Sequence, residues 1–219
     1  MIKTGFKKLD QCLGGGIKEG LITDIYGQTA TGKTQLTFQI CLNALKSSKE
    51  VLFQDTTGGF RPERILEMME AQQMDPALLD KIKVGRITNT SQQIQYLLNK
   101  PIENFSLIII DSVTDLFSFE YSKKEQSFEK HLYFMKYMQN LANIAINNKI
   151  PIVVTNIVRN VDEQEKENLE KSIIMYTHVK IKLTKKNGEF FCEIISPFQN
   201  QSFAYVKTLD GLSSPSLSI

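Results

Sequence analysis

The sequence predicts an α/β fold, with a mainly parallel central sheet flanked by helices and antiparallel strands toward the C-terminus. Three observations carry that expectation. A glycine-rich loop, Gly27-Gln28-Thr29-Ala30-Thr31-Gly32-Lys33-Thr34, lies between the apolar run Leu21 to Tyr26 and a helix-like stretch from Gln35 to Leu45. Leu107-Ile108-Ile109-Ile110 is apolar at every position, as a strand buried on both faces requires. After residue 178, Val179, Ile181 and Leu183 alternate with Lys180, Lys182 and Thr184, the period of two of a half-exposed strand.

Taken in order, short apolar runs alternate with helical patterns. The strand before the loop is followed by its helix, and Val51 to Gln54 by a helical pattern over Pro62 to Gln73. Lys83 to Arg86 comes next, then Leu107 to Asp111 with a helix after it, then Ile152 to Asn156. Such alternation is the signature of parallel strands joined by helices. Between the last two strands, Leu132, Met135, Met138, Leu141 and Ala145 recur at steps of three and four, which predicts one packed helix face. Asn187-Gly188 is a hairpin turn that pairs the strand around Lys182 with Phe190 to Ile195. Residues 1–212 read as one core domain, and the Ser-rich stretch 213–219 as a flexible tail with little to bury.

A chain of 219 residues with 42% hydrophobic content suffices for one well-buried domain. A net charge of +2 is too mild to announce a nucleic-acid or membrane partner, so any DNA contact must be local. Cys12, Cys41 and Cys192 are odd in number and lack C-x-x-C spacing, which argues against a disulfide framework or zinc site and fits a reducing cytoplasm. The N-terminus has no secretory pattern and no apolar run approaches a membrane span, so no membrane partner is expected.

The loop satisfies the pattern G-x-x-x-x-G-K-S/T. Its glycines let successive backbone N–H groups turn inward toward phosphate oxygens, and the helix that follows adds the positive end of its dipole. Lys33 is then placed for the β and γ phosphates, and the Thr34 hydroxyl for Mg²⁺. Asp111 ends the run Phe105-Ser106-Leu107-Ile108-Ile109-Ile110 and precedes Ser112, where an acid holds the same metal. ATP and Mg²⁺ are therefore the expected ligands.

Several segments together resemble the RecA/RadA recombinase superfamily, most closely the archaeal RadB-like paralogs. They are Thr4-Gly5-Phe6-Lys7-Lys8-Leu9-Asp10, Leu13-Gly14-Gly15-Gly16-Ile17, Gly32-Lys33-Thr34-Gln35, Asp55-Thr56, Phe60-Arg61-Pro62-Glu63-Arg64, Val153-Val154-Thr155-Asn156, Ser196-Pro197 and Asp210-Gly211. The resemblance spans residues 1 to about 212 and implies a RecA-like P-loop NTPase core. It implies an ATP site of Gly27, Gln28, Thr29, Ala30, Thr31, Gly32, Lys33, Thr34 and Gln35, with Arg64 stacked on adenine and Pro197 capping the adenine of a neighbouring protomer. Asn156 takes the place of the family's polar sensor of the γ phosphate.

The chain departs from the family at Thr57, which replaces the catalytic Glu that orients the attacking water. A hydroxyl has no useful basicity near neutral pH, and losing a general base costs about two to four decades of rate. ATP binding with slow hydrolysis is the expectation, with Asp55 and Glu63 as substitutes only if the loop re-aims them. Ile157 replaces the Gln of the family's Asn-Gln pair, and reads either as one more packed apolar residue or as a change that weakens coupling between nucleotide and DNA.

Of the family's two DNA loops, Glu120 to Ser127 keeps Tyr121-Ser122 and carries Lys123 and Lys124. The second, Arg159 to Lys171, has five acids against Arg159, Lys166 and Lys171, a balance that repels phosphate. Lys180, Lys182, Lys185 and Lys186 offer another basic surface. The family's N-terminal helix-hairpin-helix domain and aromatic-x-x-Ala hook have no counterpart before Thr4, which puts filament assembly in doubt.

The expected function is an ATP-binding recombination paralog that regulates or mediates for a RadA-type recombinase or other repair protein, with modest single-stranded DNA binding and self-association. The alternatives are an active DNA-stimulated ATPase performing strand exchange, and a KaiC-like P-loop signalling protein without a DNA role. A small-molecule phosphotransferase is disfavoured, because only Arg61, Arg64, Arg86 and Arg159 could build an acceptor lid.

Overall fold

A computed structural model describes residues 1–98, 100–161, 164–195 and 200–215. In chain order its elements are α1 (Lys7–Cys12), β1 (Ile22–Gly27), α2 (Lys33–Ala44), β2 (Glu50–Asp55), α3 (Pro62–Ala71), β3 (Ile82–Arg86), α4 (Thr90–Gln95), β4 (Phe105–Asp111) and α5 (Asp115–Glu120). These are followed by α6 (Ser127–Asn148), β5 (Ile152–Val161), β6 (Gln164–Glu167), α7 (Glu170–Ile173), β7 (Val179–Lys186), β8 (Glu189–Ile195), β9 (Asn200–Thr208) and β10 (Gly211–Ser213).

The strands form one sheet in the order β10-β9-β8-β7-β1-β5-β4-β2-β3, with β6 attached to β5. Pairing is parallel from β7 through β1, β5, β4 and β2 to β3. It is antiparallel from β7 out to β10. The expected mainly parallel α/β sheet with antiparallel C-terminal strands is thus what the chain forms. Because β1, β4 and β5 run in the same direction, their C-terminal ends share one edge, where ligands of open α/β sheets bind.

Strand alternation divides the core into two layers. Val51, Phe53, Leu107, Ile109 and Val153 pack with α2, α3 and Phe6, whereas Leu52, Ile108, Ile110, Ile152 and Val154 pack with α5 and α6. Helix α2 is buried over most of its circumference, with Leu36, Thr37, Phe38, Gln39, Ile40, Cys41, Leu42 and Ala44 all inside. Such a helix is fixed by packing rather than by an amphipathic stripe. The β7–β8 hairpin turns at Asn187 (φ 52°) and Gly188 (φ 86°), the two positive φ values that a two-residue turn of this kind needs.

Three expectations change. The packed face of α6 is Phe134, Tyr137, Met138, Leu141 and Ala145, while Leu132 is exposed and Met135 only half-buried. Aromatic packing sets that phase: Phe134 and Tyr137 meet Phe117 at 5.3 and 5.8 Å between centroids, and the Tyr137 hydroxyl donates to Gln54 at 2.8 Å. Strand β5 continues past Asn156 to Val161 and folds back on β6, so much of the expected second loop is a hairpin.

Lys180 is the third. It is buried, with its ammonium on Glu167 and 3.1 Å from Asp24, so it contributes nothing to a basic surface. Among the described residues no helix is long and apolar enough to cross a membrane.

Candidate functional site

The loop after β1 is shaped by close backbone approaches. A Cβ at Gly27 would lie 1.9 Å from the Leu183 carbonyl oxygen, so only glycine lets β1 pass β7 there. Ala30 (φ 62°) and Gly32 (φ 98°) then take left-handed conformations, and the chain enters α2 at Lys33. The Thr31 hydroxyl donates to Gln28 O at 2.8 Å, and Lys33 folds over the loop to donate to Gly27 O (2.9 Å) and Gln28 O (2.8 Å). Burial lowers the Lys33 ammonium from its ordinary value, while Asp111 and Asp115 hold it up.

Across the strand ends, Thr34 Oγ1 donates to Asp111 Oδ2 at 2.7 Å, and Thr155 Oγ1 donates to Asp111 Oδ1. Burial raises the Asp111 carboxyl, and the bonds from Thr155 and Thr34 oppose that rise. A cleft of about 350 Å³ opens here, lined by Thr29, Ala30, Gly32, Lys33, Thr34, Gln35, Thr57, Asp111, Ser112, Asp115, Thr155 and Ile157. Its walls fit a magnesium nucleotide: donors and a lysine on one side, a hydroxyl and a carboxylate oxygen together on the other. Ser112 and Asp115 adjoin in its lining, where burial raises the Asp115 carboxyl and a hydrogen bond with the Ser112 side chain opposes that rise. No cluster of three metal-ligating side chains occurs among the described residues, so Mg²⁺ here would draw most of its shell from phosphate and water.

Thr57 is on the rim of the cleft and largely exposed. Asp55, the nearest acid in sequence, is spoken for. Its Oδ1 accepts from the backbone N–H groups of Thr57 (3.1 Å), Gly58 (2.7 Å) and Gly59 (3.1 Å), its Oδ2 from that of Phe60 (3.3 Å), and Arg86 approaches to 3.8 Å. The loop is folded around the Asp55 carboxylate, which fixes it away from any water-activating role. Glu63 lies on the exposed face of α3 and lines a separate hollow with Leu66, Glu67 and Glu70. Neither substitute is re-aimed into the cleft.

Asn156 is not in the cleft. On β5 its neighbours Thr155 and Ile157 face the cleft, and period-two alternation turns Asn156 the other way. Its amide is used up in a buried network: Nδ2 donates to Glu167 and to Asn168 O, both at 2.8 Å, and Oδ1 accepts from Thr114 (2.6 Å) and Ile157 N (2.8 Å). Through these bonds Asn156 ties the β5–β6 hairpin to the β4–α5 connection.

Arg64 does not line the cleft but borders it. Its guanidinium donates to Thr208 O (3.1 Å) and Leu209 O (2.8 Å), and Gln35, a cleft residue, donates to the same Thr208 O at 2.7 Å. Lys123 and Lys124 are exposed on the α5–α6 connection. Arg159 is exposed on β5, opposite Lys166, and its charge helps offset the rise that burial imposes on Asp115. Pro197 lies outside the described residues.

Sequence reasoning passed over Asp115, Thr155 and the bridging role of Gln28. The Gln28 side chain accepts from Lys185 N (3.2 Å) and donates to Glu165, tying the loop to the β5–β6 hairpin. Asp115 had a legible signal, an acid in the first turn after Asp111-Ser112-Val113-Thr114. Gln28 had none, since its partners are 137 and 157 residues away.

A family model described as Rad51 matches residues 1–195. The chain is 40% identical over 169 residues to a DNA repair and recombination protein RadA of Cenarchaeum symbiosum (strain A), covering 72% of this chain and 42% of that protein. It is 38% identical over 162 residues to a DNA repair and recombination protein RadB of Thermococcus gammatolerans (strain DSM 15229 / JCM 11827 / EJ3), covering 72% and 70%. Against a DNA repair protein RAD51 of Mycosarcoma maydis it is 32% identical over 173 residues, covering 74% and 51%. The chain thus spans less than half of the matched RadA protein and about two thirds of the RadB protein.

Proposed function

The chain belongs to the Rad51 family of RecA-like proteins, and from that premise we propose that it holds MgATP in this cleft and serves DNA repair and recombination as a mediator for a RadA-type recombinase. The backbone of residues 27–34 and Lys33 take the phosphates, and Thr34 and Asp111 hold Mg²⁺, which neutralises phosphate charge when bound. Gln35 lines the cleft, and Arg64, which shares the Thr208 carbonyl with it, borders the side nearest the base. Hydrolysis is slow, because positioning and charge compensation are in place while the carboxylate that orients water is absent. One observation supports this above the rest: Thr57 occupies the rim position, and Asp55 is held by four backbone donors.

A second reading, an active DNA-stimulated ATPase, is favoured by Asp115. Its carboxyl lines the same cleft, and burial raises it against the opposing bond from Ser112, which makes it the better base near neutral pH. Titration with a fluorescent ATP analogue, followed by turnover assays with and without single-stranded DNA, separates the two. Tight binding that Lys33→Ala abolishes, with turnover slow in both conditions, supports the mediator. Brisk DNA-stimulated turnover that Asp115→Asn removes supports the ATPase. No binding at millimolar ATP overturns both.

A further inference from the structure

A phosphate-binding loop turns its N–H groups inward, which leaves carbonyls facing out and in need of donors. Two of these carbonyls are met by a single strand. The Tyr205 hydroxyl on β9 donates to Thr31 O, and Lys207, two residues along and on the same face, donates to Ala30 O at 3.0 Å. Neither donor belongs to the loop's own segment of chain, the two lying 174 and 177 residues away.

Both side chains are aimed by packing. Lys207 Nζ lies 4.5 Å from the Phe190 ring centroid, and a Cβ built at Gly32 would stand 3.5 Å from Lys207 Cδ, so the lysine stem covers the outer surface of the loop. Tyr205 is buried, and its ring is 5.4 Å from that of Phe190. Its phenol is protonated near neutral pH, as tyrosine ordinarily is, and burial pushes it further upward. The residue they restrain is a strained one: Ala30 has φ 62°, a conformation that a Cβ disfavours and that surrounding contacts must maintain.

We propose that Tyr205 and Lys207 are positioning residues of the phosphate loop, holding its outward carbonyls so that its N–H groups present a ready anion site. The peptide group that offers Ala30 C=O to Lys207 carries Thr31 N–H on its other side, and the one that offers Thr31 C=O to Tyr205 carries Gly32 N–H. A donor on the carbonyl polarises the amide and strengthens its N–H toward an acceptor. The Lys207 charge thereby reaches phosphate through the backbone without touching it. This deepens, and rests on, the reading of the loop as a nucleotide site.

Three variants test it. Lys207→Met keeps the stem and removes the charge, Tyr205→Phe removes only the hydroxyl, and Lys207→Arg keeps a cation. Amide hydrogen exchange of residues 27–34 is measured on the nucleotide-free full chain, and MgADP affinity by equilibrium titration. Lys207→Met and Tyr205→Phe should each speed exchange in the loop while leaving α6 unchanged, and weaken MgADP by about fivefold, the worth of one hydrogen bond. Lys207→Arg should restore both. Exchange and affinity that both stay within about twofold of the natural chain overturn the proposal. So does a loop that loosens while affinity holds, since the two bonds are then structural only. If the natural chain binds no MgADP while loop exchange still responds, the nucleotide reading fails and the brace stands.

Discussion

Asp24 occupies the middle of β1, between β5 and β7, where no water reaches its carboxylate. Burial raises its carboxyl well above the usual range, the negative charge of Glu167 adds to the rise, and Lys180 opposes it. In the unfolded chain the group ionises near pH 4, about the ordinary value for aspartate. In the folded chain it keeps its proton to higher pH, so the native state binds more protons over that interval and stability falls as pH rises through it. Asp24→Asn should flatten this dependence, read as the thermal midpoint between about pH 4 and 7. An unchanged pH profile would place the buried charge elsewhere. The lysine that answers Asp24 looked, from the alternation Lys180, Lys182, Thr184, like a solvent-facing residue. Strand periodicity reports which residues share a face, but not whether a polar face is covered.

At the scale of elements, Lys180 joins three strands: β7, which carries it, β1 through Asp24, and β6 through Glu167. Burial alone would lower its ammonium, and the two acids reverse that and raise it. Lys180→Met leaves both acids buried without a counter-charge, which should cost about 3–5 kcal/mol and lower the thermal midpoint on the order of 10 °C. Calorimetry of the variant checks this, and a destabilisation below about 1 kcal/mol would mean the triad contributes little. Glu167 also accepts from Asn156, so the same network fixes the β5–β6 hairpin. The parallel core was legible because Leu107 to Ile110 and the loop at 27–34 are local patterns. The hairpin was not, because it depends on buried charges contributed from positions 24, 167 and 180. The seam of α6 was shifted for a related reason: a step of three or four fits two registers, and Phe117 decides between them.

Over the whole molecule, the cleft proposed for nucleotide and the loops expected at DNA adjoin through Gln28, Glu165, Asp115 and Arg159, although Ile157 stands where the family has its coupling Gln. Basic charge offered to DNA on those loops includes the exposed Lys123, Lys124 and Arg159, while the buried Lys180 adds nothing from β7. Single-stranded DNA binding should therefore be modest and salt-sensitive. Lys123→Ala with Lys124→Ala should reduce the slope of log K against log salt by about 1.4, about 0.7 for each phosphate left without its lysine. An unaltered slope would remove this connection from the DNA surface. The glycine-rich loop, its lysine and the Asp111 strand end were readable from sequence alone, whereas the hydrogen bonds that hold Asp55 and the inward turn of Asn156 required the fold. Of the two, Asp55 bears on the absent carboxylate at position 57, because its own carboxylate is held by four backbone donors. Steady-state ATP turnover of the natural chain beside Thr57→Glu tests this most directly. The natural chain should turn over slowly and the variant about a hundredfold faster, within the usual contribution of a general base; a brisk natural chain that Thr57→Glu leaves unchanged would contradict it.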